Sequence, residues 1–198
     1  MEAIIAACKA EKWPAVVAAV IASRPDAAGL VIAASLGVPT EVVDAKSFAS
    51  RDAFESELAE TIDAHGADCI ALAGFMRVLS AAFVTRYAGR ILNIHPSLLP
   101  AFPGLDTHAR ALAAGVRKHG ATVHFVSAVV DDGPIIAHAV VPVRQDDDAQ
   151  TLAARVLAAE HRLYPRALSW FVSGRLTLQN GRAQLANATM EESMMVCS

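Results

Sequence analysis

The feature that most constrains this chain is the stretch at residues 15–22, eight consecutive apolar residues rich in Val and Ile. Such a run suits a strand buried on both faces of a parallel sheet. Further β-type segments follow at residues 40–43, 69–75 and 90–94, and helical patterns separate them. Residues 3–10 put Ile4, Ile5 and Cys8 on one helical face, and residues 27–36 read as a short helix stopped at Gly37. Ser50 can cap a third helix, with Asp52 in its first turn, Phe54, Leu58 and Ile62 as its stripe and Gly66 as its stop. Residues 80–87 and 107–116 are also helical. This alternation predicts an α/β fold, a Rossmann-like doubly wound and mostly parallel sheet.

The second half departs from strict alternation. Segments 121–130 and 135–143 flank the turn Asp131-Asp132-Gly133-Pro134 and would extend the sheet with antiparallel strands. A long helix starts near Asp148, its buried stripe formed by Leu152, Val156, Ala159 and Leu163. Asn180-Gly181 between residues 175–179 and 182–185 is a hairpin turn signal. Residues 1–186 therefore read as one domain. The Met- and Ser-rich tail, residues 187–198, is expected to be flexible.

With 54% hydrophobic and 19% charged residues, a large core is expected rather than disorder. A net charge of −3 without a long basic run argues against a nucleic-acid partner. The longest apolar run is too short to span a bilayer, so no membrane association is expected. Cys8, Cys69 and Cys197 are far apart and odd in number, which suits a reducing cytoplasm and shows no metal-ligand spacing.

Chemistry concentrates in residues 93–104, N-I-H-P-S-L-L-P-A-F-P-G. Asn93, His95 and Ser97 alternate with Ile94 and Pro96, so on a strand they would share one face. Pro96, Pro100 and Pro103 then stiffen the loop that follows. A polar cluster at a strand's C-terminal end is where open α/β sheets place ligands. A structural hydrogen-bonding role for His95 is the plain alternative. His124, inside the apolar segment T-V-H-F-V, reads as a buried helper, whereas His108 and His119 read as lying on or near a helix, structural or solvated.

The same stretch resembles the signature of the folate-dependent glycinamide ribonucleotide formyltransferases. N-I-H-P-S-L-L-P is followed closely by F-P-G-L-D-T-H. A-G-F-M-R-V-L-S at 73–80, Y-A-G-R-I-L-N at 87–93, H-G-A-T-V-H-F-V at 119–126, D-G-P-I-I at 132–136 and E-H-R-L-Y-P at 160–165 fit the same family in order. The resemblance implies the formyltransferase fold and transfer of a formyl group from 10-formyltetrahydrofolate to the amine of 5′-phosphoribosylglycinamide in purine synthesis. It implies Asn93, His95 and Asp131 as the catalytic group, with Asp132 leaving open which acid faces His95. For the folate it implies Arg51, Met76, Arg77, Val78, Leu79, Asn93, Ser127, Ala128, Val129, Val130 and Asp131. For the ribonucleotide it implies Leu157, Ala158, Ala159 and Glu160. Solvated readings of Arg51 and Glu160, and a plain turn reading of Asp131, stand beside these.

The resemblance implies no metal, small-molecule partners and a monomer or homodimer. The family also begins with an apolar strand and a Gly/Ser-containing phosphate loop, whereas Met1 here aligns with the start of the first helix. The resemblance therefore leads us to expect stronger binding of folate than of ribonucleotide by this chain. Methionyl-tRNA formyltransferase, formyltetrahydrofolate deformylase and a catalytically impaired folate-binding fragment are the alternatives.

Overall fold

The computed structural model describes residues 1–196; Cys197 lies outside the described residues. The elements run α1 (Glu2–Ala10), β1 (Val20–Ala22), α2 (Ala28–Ser35), β2 (Thr40–Val42), α3 (Arg51–Ala64), β3 (Ile70–Leu72), α4 (Ala81–Arg86) and β4 (Ile91–His95). They continue with α5 (Thr107–Ala113), β5 (Lys118–Phe125), β6 (Ile135–Pro142), α6 (Ala149–Val172), β7 (Leu176–Gln179), β8 (Arg182–Leu185) and α7 (Met190–Met195). The architecture is α/β, with parallel pairs β1–β2 and β3–β4 in the first half. Antiparallel pairs β4–β5, β5–β6 and β7–β8 make up the second.

Where the local signals are strong, the elements follow them. The Ser50 hydroxyl accepts from the Ala53 amide at 3.1 Å and starts α3. That helix buries Phe54, Leu58 and Ile62 against Val43, Phe83, Tyr87 and Ile91. Asp148 and Thr151 close a reciprocal capping box at the start of α6. From there Leu152, Val156 and Ala159 pack on Ala121 and Val141, while Leu163, Tyr164 and Leu168 pack on Leu92, Val123 and Phe125. The Tyr164 hydroxyl donates to the Leu92 carbonyl at 2.8 Å, tying helix to strand. At the hairpin tip Asn180 and Gly181 both have positive φ, 50° and 74°, as a primed turn requires.

Three expectations are corrected. Of the apolar run at 15–22 only Val20–Ala22 pairs, three residues against β2, and Val16 is 85% exposed. β3 is likewise only three residues of the expected 69–75 segment. Strand length is set by the ladder partner as much as by composition, and among the described residues no ladder joins β1 to β3. Secondly, β5 begins at Lys118 and ends at Phe125, so His119 is on a strand rather than near a helix, and residues 126–130 form a loop. Thirdly, residues 190–195 form a helix rather than a frayed tail. Thr189 and Glu192 cap it reciprocally, and buried Glu192 accepts from Arg175 and from the Trp170 indole. No helix among the described residues is long and apolar enough to cross a membrane.

β4 positions the site. It is flanked by β3 on one side and β5 on the other, and Ile91 and Leu92 are fully buried. Its C-terminal end, at Asn93 and His95, opens into the three-proline loop.

Candidate active site

Asn93 and His124 are directly opposite in the β4–β5 register. The His124 Nδ1 lies 2.9 Å from the Phe125 carbonyl, which can only accept, so Nδ1 carries the proton. The Nε2 lone pair is then left to accept from the Asn93 amide at 3.1 Å. Burial pushes the His124 imidazole down from its ordinary value, which keeps it in this neutral, accepting form. One N–H of Asn93 is thereby fixed and the second remains available, since a primary amide has two.

His95 is almost completely buried, and its Nε2 donates to the Phe102 carbonyl at 3.0 Å. Its Nδ1 lies 3.3 Å from Asp131 Oδ2. A proton on either Nδ1 or the carboxylate would join the two groups directly. Asp131 Oδ2 also accepts from the Gly104 amide at 2.8 Å, and Oδ1 is 3.9 Å from His124 Nε2. One carboxylate thus joins the proline loop, β4 and β5.

Asp131, and not Asp132, is the acid that faces His95; Asp132 is exposed. The local backbone explains this. Asp131 adopts a left-handed φ of 55°, which Asp tolerates better than most residues. Gly133 follows in close contact with β5: a Cβ there would stand 1.8 Å from the Phe125 carbonyl oxygen. Only glycine lets the turn fold back far enough to point Asp131 inward.

Ser97 does not join this face. The strand ends at His95, the alternation ends with it, and the buried Ser97 hydroxyl donates to the Ala101 carbonyl at 2.6 Å. His119, read as structural or solvated, is fully buried, which fits the structural alternative.

Arg51, Met76, Arg77, Val78 and Leu79 line a cavity of about 220 Å³ with Phe54 and Glu55. The Arg77 guanidinium lies over the Phe54 ring, 5.1 Å from its centroid. Glu55 is held by the amide and hydroxyl of Ser80, at the start of α4. Two guanidinium groups, apolar walls and a buried carboxylate suit a flat heteroaromatic molecule that carries acidic groups. Phe54 and Glu55 escape sequence reasoning, where Phe54 reads only as core; the one signal is that Arg51 and Glu55 share a helical face at i, i+4.

In the loop after β5, Ser127 hydrogen-bonds within its own turn to Val129, while Val129 and Val130 are exposed. On α6, Leu157 and Ala158 are exposed, but Ala159 packs into the core, so its side chain offers a ligand nothing. Glu160 is half-buried and makes no hydrogen bond or ion pair among the described residues; burial pushes its carboxyl up to about 7. Among the described residues no group of three His, Cys, Asp or Glu is placed to hold a metal ion.

The formyl transferase family matches residues 1–168. Phosphoribosylglycinamide formyltransferase of Escherichia coli is 48% identical over 93% of this chain and 87% of its own length. The Haemophilus influenzae protein of the same name is 39% identical over 98% of this chain and 91% of its own. The solved glycinamide ribonucleotide transformylase 1 of Symbiobacterium toebii superposes with a TM-score of 0.90 at 46% identity, covering 94% of this chain and 88% of that one. With a family match over most of its length and relatives this similar, the chain belongs to the formyl transferase family.

Proposed function

We propose that this chain is a phosphoribosylglycinamide formyltransferase: it moves a formyl group from 10-formyltetrahydrofolate to the primary amine of 5′-phosphoribosylglycinamide, a step of purine biosynthesis. The observation that carries this reading is the Asn93–His95–Asp131 group at the end of β4. The folate supplies an activated formyl carbon, and the chain's residues do the rest. The second N–H of Asn93, aimed by His124, donates to the oxygen that gains charge as the amine adds. His95, with Asp131 beside it, can give a proton to the nitrogen that departs, and the pair recovers one from the attacking amine, so it ends as it began.

The cavity bounded by Arg51, Phe54 and Met76–Leu79 supports a folate site. Exposed Val129 and Val130 supply apolar surface beside Asp131. Glu160, with a carboxyl titrating at about 7, can accept from ribose hydroxyls or the substrate amine when ionised. The test is a formyl-transfer assay on phosphoribosylglycinamide, run beside separate binding measurements for the folate and the ribonucleotide. Formylated product is expected. Folate binding without any transfer would replace this reading with that of a binding fragment.

A further inference from the structure

Behind His95 lies a second group of imidazoles that the reaction does not use. His119, on β5, is fully buried, and no hydrogen bond of ordinary geometry reaches either ring nitrogen. Its ring stands edge-on to Phe102, with centroids 5.9 Å apart at 76°, and edge-on to His108, 5.3 Å apart at 88°. A buried imidazole with no well-formed hydrogen bond costs stability, so its presence calls for an explanation. The explanation lies in what it touches. Phe102 has a left-handed φ of 55°, unusual for a bulky residue, and its carbonyl is the acceptor for His95 Nε2. The Arg110 guanidinium lies over the Phe102 ring, 5.7 Å from its centroid, and donates to the Pro103 and Leu105 carbonyls. His119 and Arg110 thus bracket the residue that orients the candidate acid.

We propose that His119, backed by His108, is a positioning residue: its flat ring wedges Phe102 so that the Phe102 carbonyl holds the His95 Nε2 proton and turns Nδ1 toward Asp131. The inference rests on the role given to His95 above. It goes beyond that role by assigning work to a side chain outside the reacting group. Burial, helped by the charges His108 and His95 would carry and opposed by the Pro96 carbonyl, pushes His119 down to about 4. The wedge therefore stays uncharged near neutral pH.

The experiment uses the full chain and two readouts, ¹⁵N–¹H correlations of the His95 ring, assigned by loss of the signal in His95→Gln, and steady-state formyl transfer. The unaltered chain should show a protected, singly assigned His95 Nε2–H. In His119→Ala that signal should average out by exchange. Its kcat should fall by roughly tenfold or more while the folate KM holds, the scale expected when a reacting group loses its aim. His119→Phe keeps a flat ring and should retain both the signal and the rate.

A folded His119→Ala variant with an unaltered His95 spectrum and rate overturns the proposal. So does a folded His119→Phe variant that loses as much as His119→Ala. If His119→Ala does not fold, His108→Ala removes one edge of the wedge from its more accessible side, and an unaltered His95 spectrum there overturns it. If the unaltered chain transfers no formyl group, the functional reading fails while the spectra still decide the wedge.

Discussion

The two halves of the chain are built differently. In the second half, β5 and β6 each run eight residues, their ladder is long, and β5 is buried along nearly its whole length under α6. In the first half, β1, β2 and β3 have three residues each, and β1 is only half-buried. The candidate chemistry sits with the long block: Asn93 answers His124, His95 answers Asp131, and the Leu99 amide donates to Thr122 of β5 at 2.9 Å. A reacting group needs side chains fixed by their own packing and by neighbours that are themselves fixed. The antiparallel block provides that fixing, whereas the first half supplies α3 and the 76–79 loop as the walls of the separate cavity beside Arg51.

The largest expected effect sharpens this contrast at the site. His95→Ala and Asn93→Ala should each lower kcat by about 10²-fold or more, the usual scale for a general acid or an oxyanion donor. Folate binding, measured by calorimetry, should persist, because the Arg51 and Met76–Leu79 cavity is untouched. Either variant with near-unaltered turnover would remove that residue from the chemistry.

Smaller effects compare the halves as structure. Leu152→Ala, in the core beneath α6, should cost about 2–5 kcal/mol in urea unfolding. Val16→Ala, at the exposed end of the first apolar run, should fall within about 0.5 kcal/mol. Similar losses at both positions would show that the halves are equally consolidated.

Acid should act on the long block through its histidines. Burial pushes His119 down to about 4 and lowers His108, His124 and His138 as well. An imidazole with a lowered folded-state pKa binds fewer protons folded than unfolded. Stability is then fully present above the ordinary value near 6.5 and falls as the pH drops toward the folded value. Each such group contributes a slope of up to about 1.4 kcal/mol per pH unit within its window. Thermal unfolding between pH 7 and 4.5 should therefore show a steady fall in Tm, and replacing His119 by Phe should make that fall shallower.

Much of this was legible in the residues, and the reasons are local. Ser50, Asp148 and Asn180-Gly181 act through their own backbone neighbours, so their caps and turn lie where expected. The alternation of Asn93 and His95 depends only on strand geometry. Other features depend on distant partners. The choice of Asp131 over Asp132 follows from a left-handed residue and from Gly133 meeting the Phe125 carbonyl, contacts that spacing cannot reveal. That β5 reaches back to His119 depends on a close approach which spacing does not show: a Cβ at Gly120 would stand 1.9 Å from the Ala139 carbonyl oxygen. The α7 helix did carry a signal, Thr189 followed by Glu192 at capping-box spacing, which the Met- and Ser-rich composition obscured.

We propose that the Asp131 carboxylate and His95 share the proton used in formyl transfer. Asp131→Asn tests it most directly, because an amide oxygen can still accept from the Gly104 amide while the negative charge is lost. Single-turnover formyl transfer to phosphoribosylglycinamide should slow by about 10²-fold or more in this variant, with folding and folate binding retained. A folded Asp131→Asn protein that transfers the formyl group at the unaltered rate would remove Asp131 from the proton transfer.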